Sequence, residues 1–161
     1  MVIIGYQGIG KSTLAKNNMN YIDLESSNFF VRDGTGLACR PTGWSEIYAS
    51  IAVSLSNQGY DVFVSSHEVV RKQLLSSGCD VCAIVPDVTL KSEWIEKLHR
   101  RYELSRSDKD YRAWKNAEDR FEENIAEIEA DVPNTIKIDH MDYDLLFAVI
   151  QARCNPAHKN R

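Results

Sequence analysis

The stretch that decides the fold is MVIIGYQGIGKS at residues 1–12, in which a short apolar segment runs directly into a glycine-rich turn. The spacing Gly5-x-x-x-x-Gly10-Lys11-Ser12 is that of a phosphate-binding loop, the Walker A motif. Glycines are needed there because turning successive backbone N–H groups towards a polyphosphate requires positive φ angles. The motif therefore predicts a strand, a phosphate loop and a helix in direct succession.

Each residue type in this loop has an expected role towards a nucleoside triphosphate. The N-terminal amides of the following helix favour an anion, and the Lys11 ammonium reaches the β- and γ-phosphates. The Ser12 hydroxyl is the expected Mg²⁺ ligand, and Thr13 is the second candidate for that role. We therefore predict ATP and Mg²⁺ as cofactors. The residues expected to bind them are Gly8, Ile9, Gly10, Lys11, Ser12 and Thr13.

Composition limits the partners of this chain. Its 161 residues, 43% of them hydrophobic, suffice for one domain with one core. The net charge of −4 disfavours a protein that coats nucleic acid through bulk charge. Six basic side chains nevertheless cluster between Lys97 and Arg112, so a local nucleic-acid contact stays open without being favoured.

The spacing of the cysteines predicts no zinc or redox site, and the length of the apolar runs predicts no membrane segment. Cys79 and Cys82 enter a predicted strand, and Cys39 and Cys154 stand alone, so the spacing of a zinc site is missing. No apolar run approaches the roughly 20 residues needed to cross a bilayer, and no secretory signal precedes the first strand. We expect a cytoplasmic protein without a membrane partner.

Apolar runs of strand length alternate with amphipathic segments, which predicts an α/β protein with a five-stranded parallel sheet and helices on both faces. Strands are expected at 2–5, 21–24, 61–65, 81–85 and 135–139. Helices are expected at about 11–18, 45–57, 68–76, 90–104, 109–130 and 143–153.

We expect one domain at 1–153 and a flexible tail at 154–161. The helix at 45–57 should bury four apolar side chains: Ile47, Ile51, Val53 and Leu55.

Two segments between these elements are candidates for function. Residues 25–45 are polar and long for a connection, and loops of that length are usually functional. The helices at 90–104 and 109–130 form a hairpin with basic residues at its tip. Strand 2 ends in Tyr21-Ile-Asp23-Leu-Glu25, an acid-x-acid pair.

This succession of features resembles the small P-loop kinases, a group that includes nucleoside monophosphate kinases, shikimate kinase and gluconate kinase. The resemblance covers nearly the whole chain and is strongest at the phosphate loop. It implies a P-loop NTPase fold in which Asp23 and Glu25 form the acid-x-acid pair. It also implies an acceptor-binding segment at about 25–45 and a helical lid at about 100–112.

The resemblance also implies catalytic roles in phosphoryl transfer, which requires a positioned metal, neutralised charge and an acceptor held in line. Lys11 would follow the phosphoryl group, Asp23 would hold a Mg²⁺-bound water, and Glu25 would bind or deprotonate an acceptor hydroxyl. Arg101 and Arg112 would close on the transferring group, because arginine makes planar, bidentate contacts with phosphate. The alternates are Arg100, Arg106 and Arg120. Asp23 and Glu25 are alternatively no more than the end of a strand.

The acceptor is expected to contact Arg40, His67 and Arg71. In nucleoside monophosphate kinases, two arginines from these regions hold the acceptor phosphate, and Arg40 and Arg71 look like that pair. The alternative for His67 is a helix N-terminal residue without a catalytic role. Three aromatic side chains would either pack on a base or bury the segment against the sheet: Phe29, Phe30 and Trp44.

The expected function is transfer of the γ-phosphoryl group of ATP to a small acceptor, above all a (deoxy)nucleoside monophosphate. A GTPase is disfavoured because the guanine-reading pattern Asn-Lys-x-Asp is missing. The strand expected at 61–65 ends in Ser65, followed by Ser66, where many P-loop enzymes place an acid. The open alternatives are a kinase of a small hydroxyl metabolite, a kinase of a polynucleotide 5′-hydroxyl or a modified DNA base, and an ATP-binding module without catalysis.

Overall fold

The computed structural model describes residues 1–155, whose strands form a five-stranded sheet and a separate two-stranded hairpin. All neighbouring strands of the larger sheet run parallel, in the order β2-β5-β1-β6-β7. Its strands are β1 (Val2–Gly5), β2 (Tyr21–Asp23), β5 (Asp61–Val64), β6 (Val81–Pro86) and β7 (Thr135–Ile138). The hairpin consists of β3 (Val31–Arg32) and β4 (Ala38–Cys39).

Helices alternate with the strands of the sheet, as the sequence predicts for an α/β protein. They are α1 (Lys11–Asn17), α2 (Trp44–Asn57), α3 (Glu68–Ser76), α4 (Lys91–Ser105), α5 (Asp108–Asp131) and α6 (Leu145–Cys154). Short 3₁₀ turns lie at Ser26–Phe29 and Val88–Leu90. The bounds agree with the sequence-based ones to within two residues, whereas the β3–β4 hairpin was not predicted.

The strand order places helices on both faces of the sheet. The step from β1 to β2 runs in one direction across the sheet, and the later steps run in the other. Because parallel crossovers are right-handed, this reversal puts α1 on the face opposite α2 and α3. The observed packing agrees, since α1 contacts α6 and α2 contacts α3. The central strands are buried on both faces, as in other parallel sheets.

Helix α2 buries a different face from the one that the sequence predicted. The prediction for Ile47 and Ile51 was wrong, because these side chains are 56% and 38% exposed. Val53 and Leu55 are half-buried. The apolar residues of this helix lie around its whole circumference, so periodicity alone does not select a face. The face that packs on the sheet carries one large ring between small residues: Ser45, Tyr48, Ala49 and Ala52.

The last helix reaches one residue further than predicted. It ends at Cys154, and the Asn155 side chain donates to Asn134 Oδ1 over 3.0 Å, so the first two residues of the predicted tail contact the domain. The rest of that tail, residues 156–161, lies outside the described residues. None of the helices described within residues 1–155 is both long and apolar enough to cross a membrane.

Candidate functional site

The phosphate loop occupies the centre of the sheet's carboxyl edge. It follows β1, which pairs with β5 on one side and β6 on the other. From β1 the chain turns towards β2, while β6 and β7 lie in the opposite direction. In open α/β sheets, ligands bind outside the carboxyl ends of strands where the direction reverses. The fold thus presents the loop at the position where such sheets bind ligands.

The glycines of the loop meet two different physical requirements. Gly8 and Gly10 have φ angles of 82° and 97°, which strongly favour glycine. Gly5 does not have a positive φ, although we expected one at each of Gly5, Gly8 and Gly10. It is needed for space, because a Cβ there would lie 2.6 Å from Lys11 Cδ. A Cβ at Gly8 would also come within 2.9 Å of Leu98 Cδ2, so helix α4 packs directly on the loop.

Lys11 points back into the loop. Its Nζ donates to the carbonyl oxygens of Gly5 at 2.8 Å and Tyr6 at 3.1 Å. Desolvation lowers the pKa of Lys11 to about 8, although the carboxylates of Asp23 and Glu25 oppose that shift. The ammonium therefore lies in the field of both members of the acid-x-acid pair.

Ser12 and Asp23 form the part of the site suited to Mg²⁺. Ser12 Oγ donates to Asp23 Oδ2 over 2.5 Å, and both Ser12 and Thr13 are exposed on the first turn of α1. Within residues 1–155, no three His, Cys, Asp or Glu side chains form a metal-binding group. Mg²⁺ commonly takes only one or two protein carboxylates and completes its shell with water and phosphate. A hydroxyl paired with one carboxylate fits that requirement.

Glu25 is paired with a cation from the α4–α5 hairpin, the two antiparallel helices α4 and α5. Its carboxylate accepts a hydrogen bond from Lys109 Nζ. Desolvation raises the pKa of Glu25, but the hydrogen bond and charge of Lys109 outweigh this effect and the pKa is lowered. The carboxylate is therefore ionised at neutral pH and tied to helix α5.

Arg101 lies on the α4 side of the hairpin. One of its terminal nitrogens contacts Asp110 Oδ1 at 2.6 Å, which joins the two helices. In the described part of the chain, its buried Nε has no hydrogen-bond partner. The positive charge of Arg101 also contributes to lowering the pKa of Lys11. Arg101 therefore lies close enough to the phosphate loop to act on the charge of Lys11.

Arg40 is held between aromatic rings. Its guanidinium carbon lies 4.0 Å from the ring centre of Trp44 and 4.7 Å from that of Phe30. One terminal nitrogen is 3.2 Å from Ser26 Oγ and 3.1 Å from His67 Nε2, while the buried Nε has no partner among the described residues. The rings of Phe30 and Trp44 therefore contact an arginine, and the guanidinium is fixed before any ligand arrives.

His67 precedes helix α3 as its N-cap residue, which agrees with the alternative prediction of a position at a helix N-terminus. Its ring contacts Trp44 edge-on and faces Arg40. Desolvation, followed by the positive charges of Arg40, Arg71 and Lys11, lowers its pKa to about 4. At neutral pH the ring is uncharged, and its Nε2 can accept a hydrogen bond from Arg40.

Arg71 does not join Arg40. It is 3% exposed and lies within α3, where Nε donates to Asp131 at 2.7 Å and NH1 to the Ser66 carbonyl at 2.6 Å. A second carboxylate, Glu127, lies 3.6 Å from its other terminal nitrogen. The geometry gives Arg71 a structural role and does not support the predicted contact with an acceptor. Local spacing could not reveal this, because its two acidic partners, Asp131 and Glu127, are more than 50 residues away.

Arg112, which the resemblance places in the lid that closes on the transferring group, lies over the same ring as Arg40. Its guanidinium carbon is 5.6 Å from the centre of the Phe30 ring, which Arg40 also contacts. Desolvation lowers the pKa of Arg40, and the charge of Arg112 adds to that shift. Both arginines therefore contact the ring of Phe30.

Two of the alternate arginines pair with surface acids, and the third forms no ion pair within residues 1–155. Arg100 pairs with Glu96, and Arg120 pairs with Glu123 and Glu127. Arg106 forms the hairpin tip with a φ of 51° and lies over the ring of Tyr102. None of the three contacts the phosphate loop in the interactions described above.

Tyr48 is a site residue that the sequence reasoning missed. Its buried hydroxyl donates to the Leu24 carbonyl over 2.5 Å and accepts from the Ser65 amide over 3.0 Å. It therefore joins the ends of β2 and β5 and fixes the backbone between Asp23 and Glu25. The only signal was one polar aromatic residue on a helix whose other buried positions are small.

Comparisons with known proteins do not identify a family for this chain. No protein-family model matches the sequence. A search of curated proteins likewise returned no significant match.

Proposed function

We propose that this protein transfers the γ-phosphoryl group of ATP to a small anionic acceptor, with a (deoxy)nucleoside monophosphate as the leading candidate. The observation that carries the proposal is the convergence around Lys11, whose ammonium lies in the fields of Asp23, Glu25, Arg101 and Lys109. These groups come from the phosphate loop, the end of β2 and both helices of the α4–α5 hairpin. Phosphoryl transfer needs such an assembly of cations and acids around one point.

The donor side rests on the loop residues. The Lys11 ammonium is held by two backbone carbonyls, which β- and γ-phosphate oxygens would replace as partners. Ser12 and Asp23 would hold Mg²⁺, through the hydroxyl and through a water respectively. Bound Mg²⁺ would neutralise charge on the phosphate oxygens. Arg101, with its unpartnered Nε, would stabilise the phosphoryl group during transfer.

The acceptor side rests on Arg40 and Arg112. Two guanidiniums on one ring repel each other, and an anion between them would relieve that repulsion. Arg40 offers planar donors that are already oriented, which suits bidentate phosphate binding. This favours an anionic acceptor, such as a nucleoside monophosphate, over an uncharged one. Glu25 would then position the acceptor group once Lys109 is displaced from it.

The test is ADP release measured with purified protein, ATP and Mg²⁺ against a panel of acceptors. The panel contains the ribo- and deoxynucleoside monophosphates, small hydroxyl metabolites and 5′-hydroxyl oligonucleotides. We expect turnover with at least one nucleoside monophosphate and none with the hydroxyl metabolites. Release only with oligonucleotides, with affinity falling steeply as salt is added, would instead establish the polynucleotide alternative. No release with any acceptor, despite ATP binding, would leave a non-catalytic module.

Variants sharpen this assay. Lys11→Met should lower kcat at least about 100-fold, the size of effect seen when one charge-stabilising donor is removed. Lys16→Met, on the same helix but exposed, is the matched control and should leave kcat unchanged. Arg40→Met and Arg112→Met should raise the acceptor KM by about tenfold or more, because each removes one charge-assisted contact. An unchanged acceptor KM in both would reject the proposed acceptor site.

A further inference from the structure

Gln7 lies in the phosphate loop, but its side chain contacts the α4–α5 hairpin. Its Nε2 donates to the Ala113 carbonyl on α5 at 2.9 Å and lies 3.3 Å from Asn116 Oδ1. The backbone carbonyl oxygen of Gln7 accepts a hydrogen bond from Trp94 Nε1 on α4 at 2.9 Å. One loop residue is thus bound to both helices of the hairpin.

The contact on α5 lies close to a break in that helix. Arg120 has φ −139° and ψ 27°, which are not helical angles. Asn116 and Asn124 lie on opposite sides of this break, and Asn124 Nδ2 donates to Asn116 Oδ1 over 2.9 Å. Eight residues of straight helix would separate the two backbones by about 12 Å. Asn116 therefore receives hydrogen bonds both from the loop and from across the break.

The part of α5 before the break carries the cations that face the acceptor side. Lys109 pairs with Glu25, and Arg112 lies over Phe30 next to Arg40. The break separates the segment 108–119, whose buried residue is Ala117, from the rest of α5, which packs through Phe121, Ile125 and Ile128 into the core. The position of Lys109 and Arg112 therefore depends on what holds the segment 108–119.

We infer that Gln7 is a positioning residue that couples occupation of the phosphate loop to the segment 108–119. A bound polyphosphate orders the loop backbone, and Gln7 transmits that order to Ala113 and Asn116. Donor binding thereby places Lys109 and Arg112 for the acceptor. The coupling rests on the proposed function, of which it is the regulatory step.

The first test is hydrogen exchange in residues 108–119 with and without a non-hydrolysable ATP analogue and Mg²⁺. In the unaltered protein the analogue should slow exchange in this segment. Gln7→Leu keeps the bulk of the side chain but removes its hydrogen bonds to Ala113 and Asn116, and should abolish that protection. Its affinity for the analogue should stay within about twofold, because the side chain points away from the loop interior. Gln58→Leu, an exposed glutamine at the end of α2, is the matched control and should behave as the unaltered protein.

The second test separates KM from kcat. Gln7→Leu should raise the acceptor KM at least about fivefold, the ratio expected for losing one neutral hydrogen bond, with a smaller change in the donor KM. Asn116→Ala leaves the Gln7 bond to Ala113 and should give an intermediate effect. It also carries the test if Gln7→Leu does not fold.

Three outcomes would overturn the coupling. These are full protection of 108–119 in both variants, an analogue affinity that falls as much as the acceptor KM rises, and no protection in the unaltered protein when the analogue is bound. Failure of the proposed function looks different. The unaltered protein would then bind the analogue and protect 108–119, yet show no turnover with any acceptor.

Discussion

At Lys11, two loop carbonyls replace water around an ammonium group, and its pKa falls to about 8. An isolated lysine would stay charged far above neutral pH. Here the positive charge of the side chain is lost only slightly above physiological pH. The residue's chemistry is thus determined by the loop that it closes.

The lowered pKa of Lys11 predicts a pH dependence of ATP binding. Below about pH 8 the ammonium is charged and available to phosphate oxygens, which are already ionised near neutral pH. As the pH rises past 8, the Kd for ATP should increase, approaching about tenfold per pH unit. Titration calorimetry between pH 6.5 and 9.5 measures this dependence.

Lys11→Arg is the control for that titration, since a guanidinium stays charged throughout the range. Its affinity for ATP should be lower but independent of pH, and a slope equal to that of the unaltered protein would show that another group is responsible. The same shift has a separate effect on folding. Between about pH 8 and 10.5 the unfolded chain binds the extra proton at this residue, so the Lys11 contribution to stability rises with pH.

At Arg71, by contrast, partners distant in sequence neutralise a basic residue that was expected to bind substrate. Arg71→Met should lower the free energy of unfolding by about 2 to 3 kcal/mol, since it leaves Asp131 and Glu127 without a buried cation. The value is kept below that of a fully buried pair because both carboxylates are about one third exposed. Urea unfolding measures the loss.

Enzyme kinetics distinguish a structural role of Arg71 from a role in substrate binding. At temperatures where Arg71→Met is folded, its acceptor KM should match that of the unaltered protein. A selective rise of this KM at full stability would return Arg71 to the acceptor site. Lys72→Met, on the neighbouring exposed position, should change neither quantity by more than about 0.5 kcal/mol in stability or twofold in KM.

At the scale of elements, helix α2 illustrates why apolar content alone does not identify a buried face. Its apolar residues surround the helix, and tertiary packing selects the face that carries Tyr48. That choice also matters for the site, because the Tyr48 hydroxyl joins the ends of β2 and β5. Ile47 and Ile51 are left on the outside.

A pair of matched substitutions tests the assignment of that face. Ile47→Ala should change the free energy of unfolding by no more than about 0.5 kcal/mol, because the side chain already contacts water. Ile125→Ala, at a fully buried position of helix α5, should cost about 2 to 5 kcal/mol. Thermal and urea unfolding of both variants give the comparison. Equal losses would mean that Ile47 is buried after all.

At the scale of the whole molecule, the site is assembled from elements that are far apart in sequence. The loop after β1, the end of β2, the segment before α2 and the α4–α5 hairpin meet at one edge of the sheet. A separate groove of about 590 Å³ lies elsewhere, between α2 and α3. Its lining is made of small and uncharged polar side chains apart from Glu46, so it offers no group for phosphate chemistry.

Because the proposed ligands bind only the folded chain, they should stabilise the whole molecule. ATP with Mg²⁺ at about 100 times its Kd stabilises a one-site protein by about 2.7 kcal/mol. For a chain of this size that corresponds to a rise in Tm of about 5 to 10 °C, measurable by calorimetry. Lys11→Met should lose most of this shift while Lys16→Met keeps it. An equal shift in both variants would place the nucleotide outside the loop.

The sequence by itself determined the class of the fold, because strand-length apolar runs and glycine or proline boundaries are local properties. It also contained the spacing of a phosphate-binding motif, which lies within a few residues. Its predictions for ATP, Mg²⁺ and the acceptor stay predictions, as does the cytoplasmic location.

Only the tertiary structure decided which basic residues face the site. Arg71 and Arg112 carry the same charge, yet one is paired with the acidic end of α5 and the other lies beside Arg40. The same holds for the buried face of α2 and for the contacts of Gln7 with the hairpin. Each of these depends on groups distant in sequence, and neither charge nor periodicity encodes which distant groups will meet. The phosphate-loop motif is readable in twelve residues because its spacing is local, whereas the rest of the site exists only once the sheet has brought its parts together.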